Sequence, residues 1–222
     1  MIHENGLMQA SVITSAPTPE EARIGGETVY AITKYDQERL VLTWGRQVGI
    51  PTVALRYSCT YGPRQSIFNP YTGLIAIFST RLLNNQPVVL YEDGLQTRDL
   101  CFVEDVAHAN ICALHSDVLD GLPVNIGSGT SYSVRDIANA VGEALALSIE
   151  PIIRGEFRPG EMRHLCADIT RAQKMGYTPR VGLLRGIKRY ISWIRAQGDV
   201  RDYFAQAELI LKNKKIVQSV VK

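Results

Sequence analysis

Tyr30 and Lys34 lie four residues apart at the head of a pattern that predicts a helix over 29–48, and of all the side chains in this sequence they are the pair best spaced for chemistry. Residues four apart stack on one face of a helix, so a phenol and an ammonium at these positions can address the same point. A phenol gives up its proton at about pH 10 in water, and a cation a few ångströms away favours the phenolate. Such a pair is suited to taking a proton from a substrate hydroxyl. The same spacing also occurs on helices where the ring merely packs and the ammonium sits in water. The pair therefore takes its meaning from what surrounds it.

The elements that must position it follow in order. On the first helix Leu40, Val41, Trp44 and Val48 recur at helical spacing, with Lys34 and Glu38 off that stripe, and Gly49-Ile50-Pro51 stops it. Residues 52–57 predict a buried parallel strand, which leaves through the tight turn Tyr61-Gly62-Pro63-Arg64-Gln65. Strand C-termini are where open α/β sheets bind ligands. After the turn cluster 69–73 come a helix over 74–83, a strand over 88–91 running into Glu92-Asp93-Gly94, a helix over 104–116 and a strand over 123–126. Gly127-Ser128-Gly129 turns into a helix capped by Ser133 and carrying Val134, Ile137, Ala138, Val141 and Leu145. A short strand over 150–153 follows, with an amphipathic helix and a basic end beyond 199. Upstream, Thr18-Pro19-Glu20-Glu21 has the form of a helix start, but Gly25-Gly26 follows at once and residues 1–28 read mostly as loop.

Composition narrows the classes of function. The chain has 222 residues, 45% of them hydrophobic and 21% charged, as in ordinary globular domains. A net charge of +2, with basic residues gathered only at Lys212, Lys214, Lys215 and Lys222, argues against nucleic acid as a partner. The cysteines, Cys59, Cys101, Cys112 and Cys166, show no Cys-x-x-Cys spacing, so neither a zinc site nor a disulfide framework is indicated and a reducing cytoplasm fits. His108 and His115 fall close to one face of a helix without a third ligand nearby, and no metal is expected. No apolar run reaches membrane-spanning length and no secretory signal is apparent, so a soluble, cytoplasmic protein is expected.

Tyr30 and Lys34 gain weight from the run Leu55-Arg56-Tyr57-Ser58-Cys59-Thr60-Tyr61-Gly62-Pro63-Arg64-Gln65, followed by Glu92-Asp93-Gly94, Arg98-Asp99 and Arg158-Pro159-Gly160-Glu161. In that order and at those distances they resemble the NAD-dependent nucleotide-sugar epimerases and dehydratases of the extended short-chain dehydrogenase/reductase family. The run from Asn69 to Arg98 is especially similar to epimerases acting on dTDP-linked 6-deoxyhexoses such as dTDP-L-rhamnose. The resemblance implies an α/β fold: the C-terminal part of a doubly wound, Rossmann-like parallel sheet with a small mixed substrate-binding lobe over 29–198, followed by a C-terminal helix and tail over 199–222. It implies Tyr30 as the catalytic base, Lys34 as its partner, both of them touching NAD, and Arg98 and Arg158 gripping the substrate diphosphate. Cys59 and Asn69 fall at substrate-binding positions. The implied substrate is a dTDP-hexose and the implied reaction 4-epimerisation; a 4,6-dehydratase, a reductase and a non-catalytic binder of nucleotide sugar or of a partner chain are the alternatives. The resemblance leaves room for a homodimer.

The sequence also departs from the pattern. Cys59 stands for an asparagine, Ser58 for a phenylalanine and Phe102 for a histidine. Cysteine cannot replace an amide that both donates and accepts hydrogen bonds. In the family a whole nucleotide-binding half, opened by a glycine-rich turn, precedes the tyrosine. Only 29 residues precede Tyr30, short of such a half by about 100 residues. No Gly-x-Gly-x-x-Gly occurs, since Tyr132 stands where Gly127-Ser128-Gly129 would need its third glycine. The expectation is a chain truncated at its N-terminal side relative to the family.

Overall fold

The computed structural model describes residues 16–25, 28–67, 73–159, 162–198, 200–202, 204–213 and 217–219. Asn69 lies outside these described residues, as do Gly160 and Glu161. The first helix, α1 (Val29–Val48), begins where the Thr28 hydroxyl accepts the Ala31 amide at 3.1 Å and ends at Gly49 in the left-handed region. The face it turns inward is the row Ala31, Tyr35, Glu38, Leu42 and Gly45, at helical spacing. Gly45 is required there, because a Cβ at that position would stand 2.3 Å from Thr52 Oγ1. Glu38 is clamped by Arg56 through two bonds of 2.6 and 2.7 Å.

The apolar stripe of this helix is therefore the outer one. Leu40, Val41, Trp44 and Val48 are all exposed, Trp44 at 64%. Helical periodicity identifies a face that disfavours water but not the neighbour that covers it. Among the described residues no element lies on that face.

The chain then enters β1 (Ala54–Tyr57), passes Ser58 and continues as β2 (Cys59–Tyr61). Helix α2 (Leu74–Leu83), strand β3 (Val89–Leu90) and strand β4 (Thr97–Phe102) follow, then α3 (Val103–Leu114), β5 (Pro123–Ile126), β6 (Ser131–Ser133) and α4 (Val134–Leu145). Parallel pairing joins β1 to β5, and at Ser58 the chain switches sheets so that β2 runs parallel to β4, which pairs antiparallel with β6 on its other side. Helix α4 carries the capping box that Ser133 promised, its hydroxyl accepting the Asp136 amide at 3.0 Å. Strand β1 is parallel as expected but half-exposed rather than buried, because only β5 lies beside it among the described residues.

Further on, β7 (Ile152–Ile153) runs parallel to β3, and β8 (Glu156–Phe157) precedes α5 (Thr170–Lys174), α6 (Leu183–Arg195), α7 (Phe204–Asn213) and β9 (Gln218–Ser219). Strand β9 returns to pair antiparallel with β8, so residues 218 and 219 are built into a sheet rather than forming a loose basic end. The main core gathers α2, α4 and α6 against β2 and β4 around Phe78, Phe102, Ile137, Ile187 and Tyr190. A second core, with Val124, Ile126, Ala172 and Tyr177, lies on β5. The Thr18-Pro19 segment forms no helix; the Thr18 amide donates to the Cys166 carbonyl at 2.8 Å, and the Glu20 carboxylate accepts the Asn125 amide at 2.8 Å. Among the described residues no helix is long and apolar enough to cross a membrane.

Candidate active site

Strand alternation sets up the site at β4. Successive side chains leave a strand on opposite faces, so Arg98 and Asp99 part company. Asp99 turns inward, fully buried, and its carboxylate accepts the Ser128 amide at 2.8 Å, the Ser128 hydroxyl at 2.7 Å, the Gly129 amide at 3.2 Å and the Ala167 amide at 3.1 Å. The turn Gly127-Ser128-Gly129 thus wraps an internal carboxylate, and a Cβ on Gly127 would sit 2.3 Å from Asp99 Oδ2. Arg98 faces the other way, into a cavity of about 440 Å³.

That cavity unites residues far apart in sequence. Its wall includes Tyr30 from α1, Cys59 and Thr60 from β2, Arg98 from β4, Arg158 just after β8, and Phe204 from α7. One edge of the Arg98 guanidinium is fixed, donating to the Thr97 carbonyl at 2.8 Å and the Arg163 carbonyl at 3.1 Å. The Arg158 guanidinium lies 5.3 Å from the centroid of the Tyr91 ring. Burial raises the pKa of the Tyr91 phenol, against the opposing pull of the Arg158 cation.

Several buried polar atoms of the wall have no hydrogen-bond partner in the protein: Arg158 Nε, Tyr91 OH, Gln96 Oε1 and Gln65 Oε1. Buried polar groups in folded proteins are nearly always satisfied by protein, water or ligand. Two guanidinium groups beside unpartnered donors and acceptors make a wall suited to an anionic, hydroxyl-rich ligand.

The sequence-predicted residues meet unequally. Tyr30 stands at the rim, 72% exposed. Lys34 sits one turn on, outside the wall, with Nζ 5.8 Å from the centroid of the Tyr30 ring and donating to Gln37 Oε1 at 3.2 Å. Cys59 is half-buried opposite Leu100. Phe102 is a core residue, fully buried edge-on against Tyr61 at 5.4 Å, so its departure from the family pattern is met by packing. His108 lies against Cys112 and Arg180, and among the described residues no cluster of metal-ligating side chains occurs. Sequence reasoning missed Tyr91, Gln96, Gln65 and Phe204. The alternation around Arg98 could have pointed to Gln96, two residues away on the same side; nothing local marks Phe204.

Tyr30 presents its hydroxyl at the rim, while the Lys34 ammonium lies outside the wall and donates to Gln37. A pyrophosphate needs a row of open backbone amides, and the Ser128 and Gly129 amides are already taken by Asp99.

A family model described as the NAD dependent epimerase/dehydratase family matches residues 10–127. The chain belongs to this family. Within it, the chain is 35% identical over 173 residues to a dTDP-L-rhamnose 4-epimerase of Burkholderia thailandensis, a match covering 78% of this chain and 47% of that protein. Among solved structures, it resembles the UDP-glucose 4-epimerase of Thermotoga maritima with UDP-glucose, at TM-score 0.77 and 31% identity over 84% of this chain and 60% of that one. It also resembles the UDP-glucuronic acid 4-epimerase of Bacillus cereus in complex with UDP-glucuronic acid and NAD, at TM-score 0.73 and 27% identity over 82% of this chain and 57% of that one. This epimerase/dehydratase chain spans about half the length of the curated relatives it matches.

Proposed function

We propose that the cavity binds a nucleotide-diphospho-sugar, with a dTDP-hexose preferred, and that the chain contributes the acid–base tyrosine of an NAD-dependent 4-epimerisation. The observation that carries this reading is the convergence of Tyr30, Arg98 and Arg158 on one cavity whose wall keeps buried polar atoms unpartnered. Arg98 and Arg158 grip the diphosphate, whose oxygens match the guanidinium fork. Tyr91, Gln96 and Gln65 offer hydrogen bonds to the remainder of the ligand. Tyr30 at the rim takes the proton of the sugar C4 hydroxyl as that carbon becomes a ketone, and returns it when the sugar has turned over. Lys34 lies one turn further along α1, its Nζ 5.8 Å from the centroid of the Tyr30 ring. A bound NAD would supply the hydride acceptance at C4 and its return to the opposite face.

The second reading is a chain that binds nucleotide sugar without turning it over. It draws on the exposed Tyr30, the bond from Lys34 to Gln37 and the Gly127-Ser128-Gly129 turn already filled by Asp99. Turnover separates the two. With NAD and dTDP-L-rhamnose or UDP-glucose, the epimerase reading expects the C4 epimer by NMR and a loss of about 100- to 10,000-fold in Tyr30→Phe. Binding of the sugar nucleotide with no epimer from the unmodified chain would establish the second reading instead.

A further inference from the structure

Arg163 stands outside the cavity wall, yet its main chain reaches the site. Its carbonyl accepts the Thr97 amide at 2.9 Å and Nη1 of Arg98 at 3.1 Å. Nη1 carries two hydrogens, and it also donates to the Thr97 carbonyl at 2.8 Å, so two main-chain oxygens set the plane of the Arg98 guanidinium. One of these oxygens belongs to β4 itself. The other is delivered by residues 163–165, which run parallel beside Thr97 and bond it again through the Leu165 amide at 3.1 Å. Met162 and Arg163 are exposed, so the start of this segment lies at the surface.

The Arg163 side chain supplies the fastening. It pairs with Glu92 and, at 2.6 Å, with Asp93. Both acids sit in the turn that follows Tyr91, whose ring the Arg158 guanidinium faces. Glu92 has a φ of 51°, a left-handed backbone that a residue other than glycine adopts at a cost. Its amide donates to the Glu156 carbonyl of β8 at 2.7 Å, and the Asp93 carboxylate accepts the Leu95 amide at 2.9 Å, so the turn is held on both sides. Stability does not repay the cost, because the side chains of Arg163, Glu92 and Asp93 are 43%, 31% and 49% exposed and ion pairs so exposed contribute little. A turn held in a costly conformation, presenting two acids to the residue that fixes Arg98, serves the cavity.

We propose that Arg163 is a positioning residue for the diphosphate grip: clamped on Glu92 and Asp93, it holds in place the carbonyl that keeps Arg98 turned to the ligand. The inference rests on the nucleotide-sugar reading given above. Without the clamp Arg98 spends part of its time out of the gripping orientation, and the apparent affinity falls with the fraction that remains.

Calorimetry with dTDP-glucose on the full chain, with urea unfolding of the same samples, tests it. Arg163→Met is expected to weaken binding about 3- to 10-fold, as a gripping orientation kept for about a third to a tenth of the time requires, with the unfolding midpoint unchanged. Arg163→Lys keeps a cation for the two carboxylates and is expected to bind more tightly than Arg163→Met. In an Arg98→Met background no guanidinium is left to position, so adding Arg163→Met is expected to cost nothing further, a non-additivity that independent sites do not show. Glu92→Gly removes one acid of the clamp and suits the positive φ, so it is expected to weaken binding with no loss of stability; it carries the same test should Arg163→Met fail to fold. Glu104→Gln, which breaks the pair with Arg189 outside the cavity wall, is expected to leave affinity as it is. Unchanged affinity in the clamp variants, losses that add in the double variant, or a midpoint that falls in step with affinity each overturn the clamp alone. Absence of binding by the unmodified chain overturns the nucleotide-sugar reading and the clamp with it.

Discussion

The cysteines report on the site at the scale of single residues. Cys101 is buried on β4, and burial pushes its thiol up to about 11, with the Tyr177 hydroxyl 3.6 Å away. Burial likewise raises the Cys166 thiol. The thiolate is the reactive form, so at pH 8 alkylation is expected at the half-buried Cys59 and Cys112 while Cys101 and Cys166 stay unmodified, as peptide mass spectrometry would read. A bound sugar nucleotide is expected to protect Cys59 and leave Cys112 reactive, because only Cys59 lies on the cavity wall. The family resemblance singled out Tyr30, Arg98 and Arg158 in the sequence, and the structure brings all three to one cavity. Tyr91, Gln96 and Gln65 were not legible: an unpartnered polar atom is a property of three-dimensional surroundings, and no local pattern encodes it.

At the scale of elements, periodicity located the helices and fixed their ends well, as at α1, α2 and α4, where caps and stops are strong local signals. It does not say which face of α1 turns inward. The inward row is built on Gly45 against Thr52 and on the Glu38–Arg56 pair, so this contact is held by small size and charge and not by the apolar stripe. Two opposed mutational effects follow. Glu38→Gln leaves Arg56 without its bidentate partner and is expected to cost about 1.5–3 kcal/mol in urea unfolding. Trp44→Ser, on the exposed apolar stripe, is expected to change stability by no more than about 0.5 kcal/mol. The strands β2, β4 and β6 were missed because each is short or mixed in polarity, and their pairing partners lie far along the chain. Ser133 was correctly read as a cap, though it also closes β6.

At the scale of the whole molecule, the α/β class is what the family resemblance implies, and the parallel pairing of β1 follows from its β-rich run. The order of strands across the sheets, and the return of β9 to β8, depend on long-range closure that periodicity does not record. The same long-range assembly makes the cavity: Tyr30, Arg98, Arg158 and Phe204 come from α1, β4, the end of β8 and α7, and no two of them are near neighbours in sequence. The account stands or falls on whether that assembly holds a diphosphate sugar. Calorimetric titration of dTDP-glucose into the unmodified chain and into Arg158→Ala tests this most directly. Saturable one-to-one binding is expected, weakened about 10- to 100-fold in the variant, as the loss of about 1.5–3 kcal/mol of charge-assisted hydrogen bonding requires. Binding of equal strength in both proteins, or none in either, would contradict it.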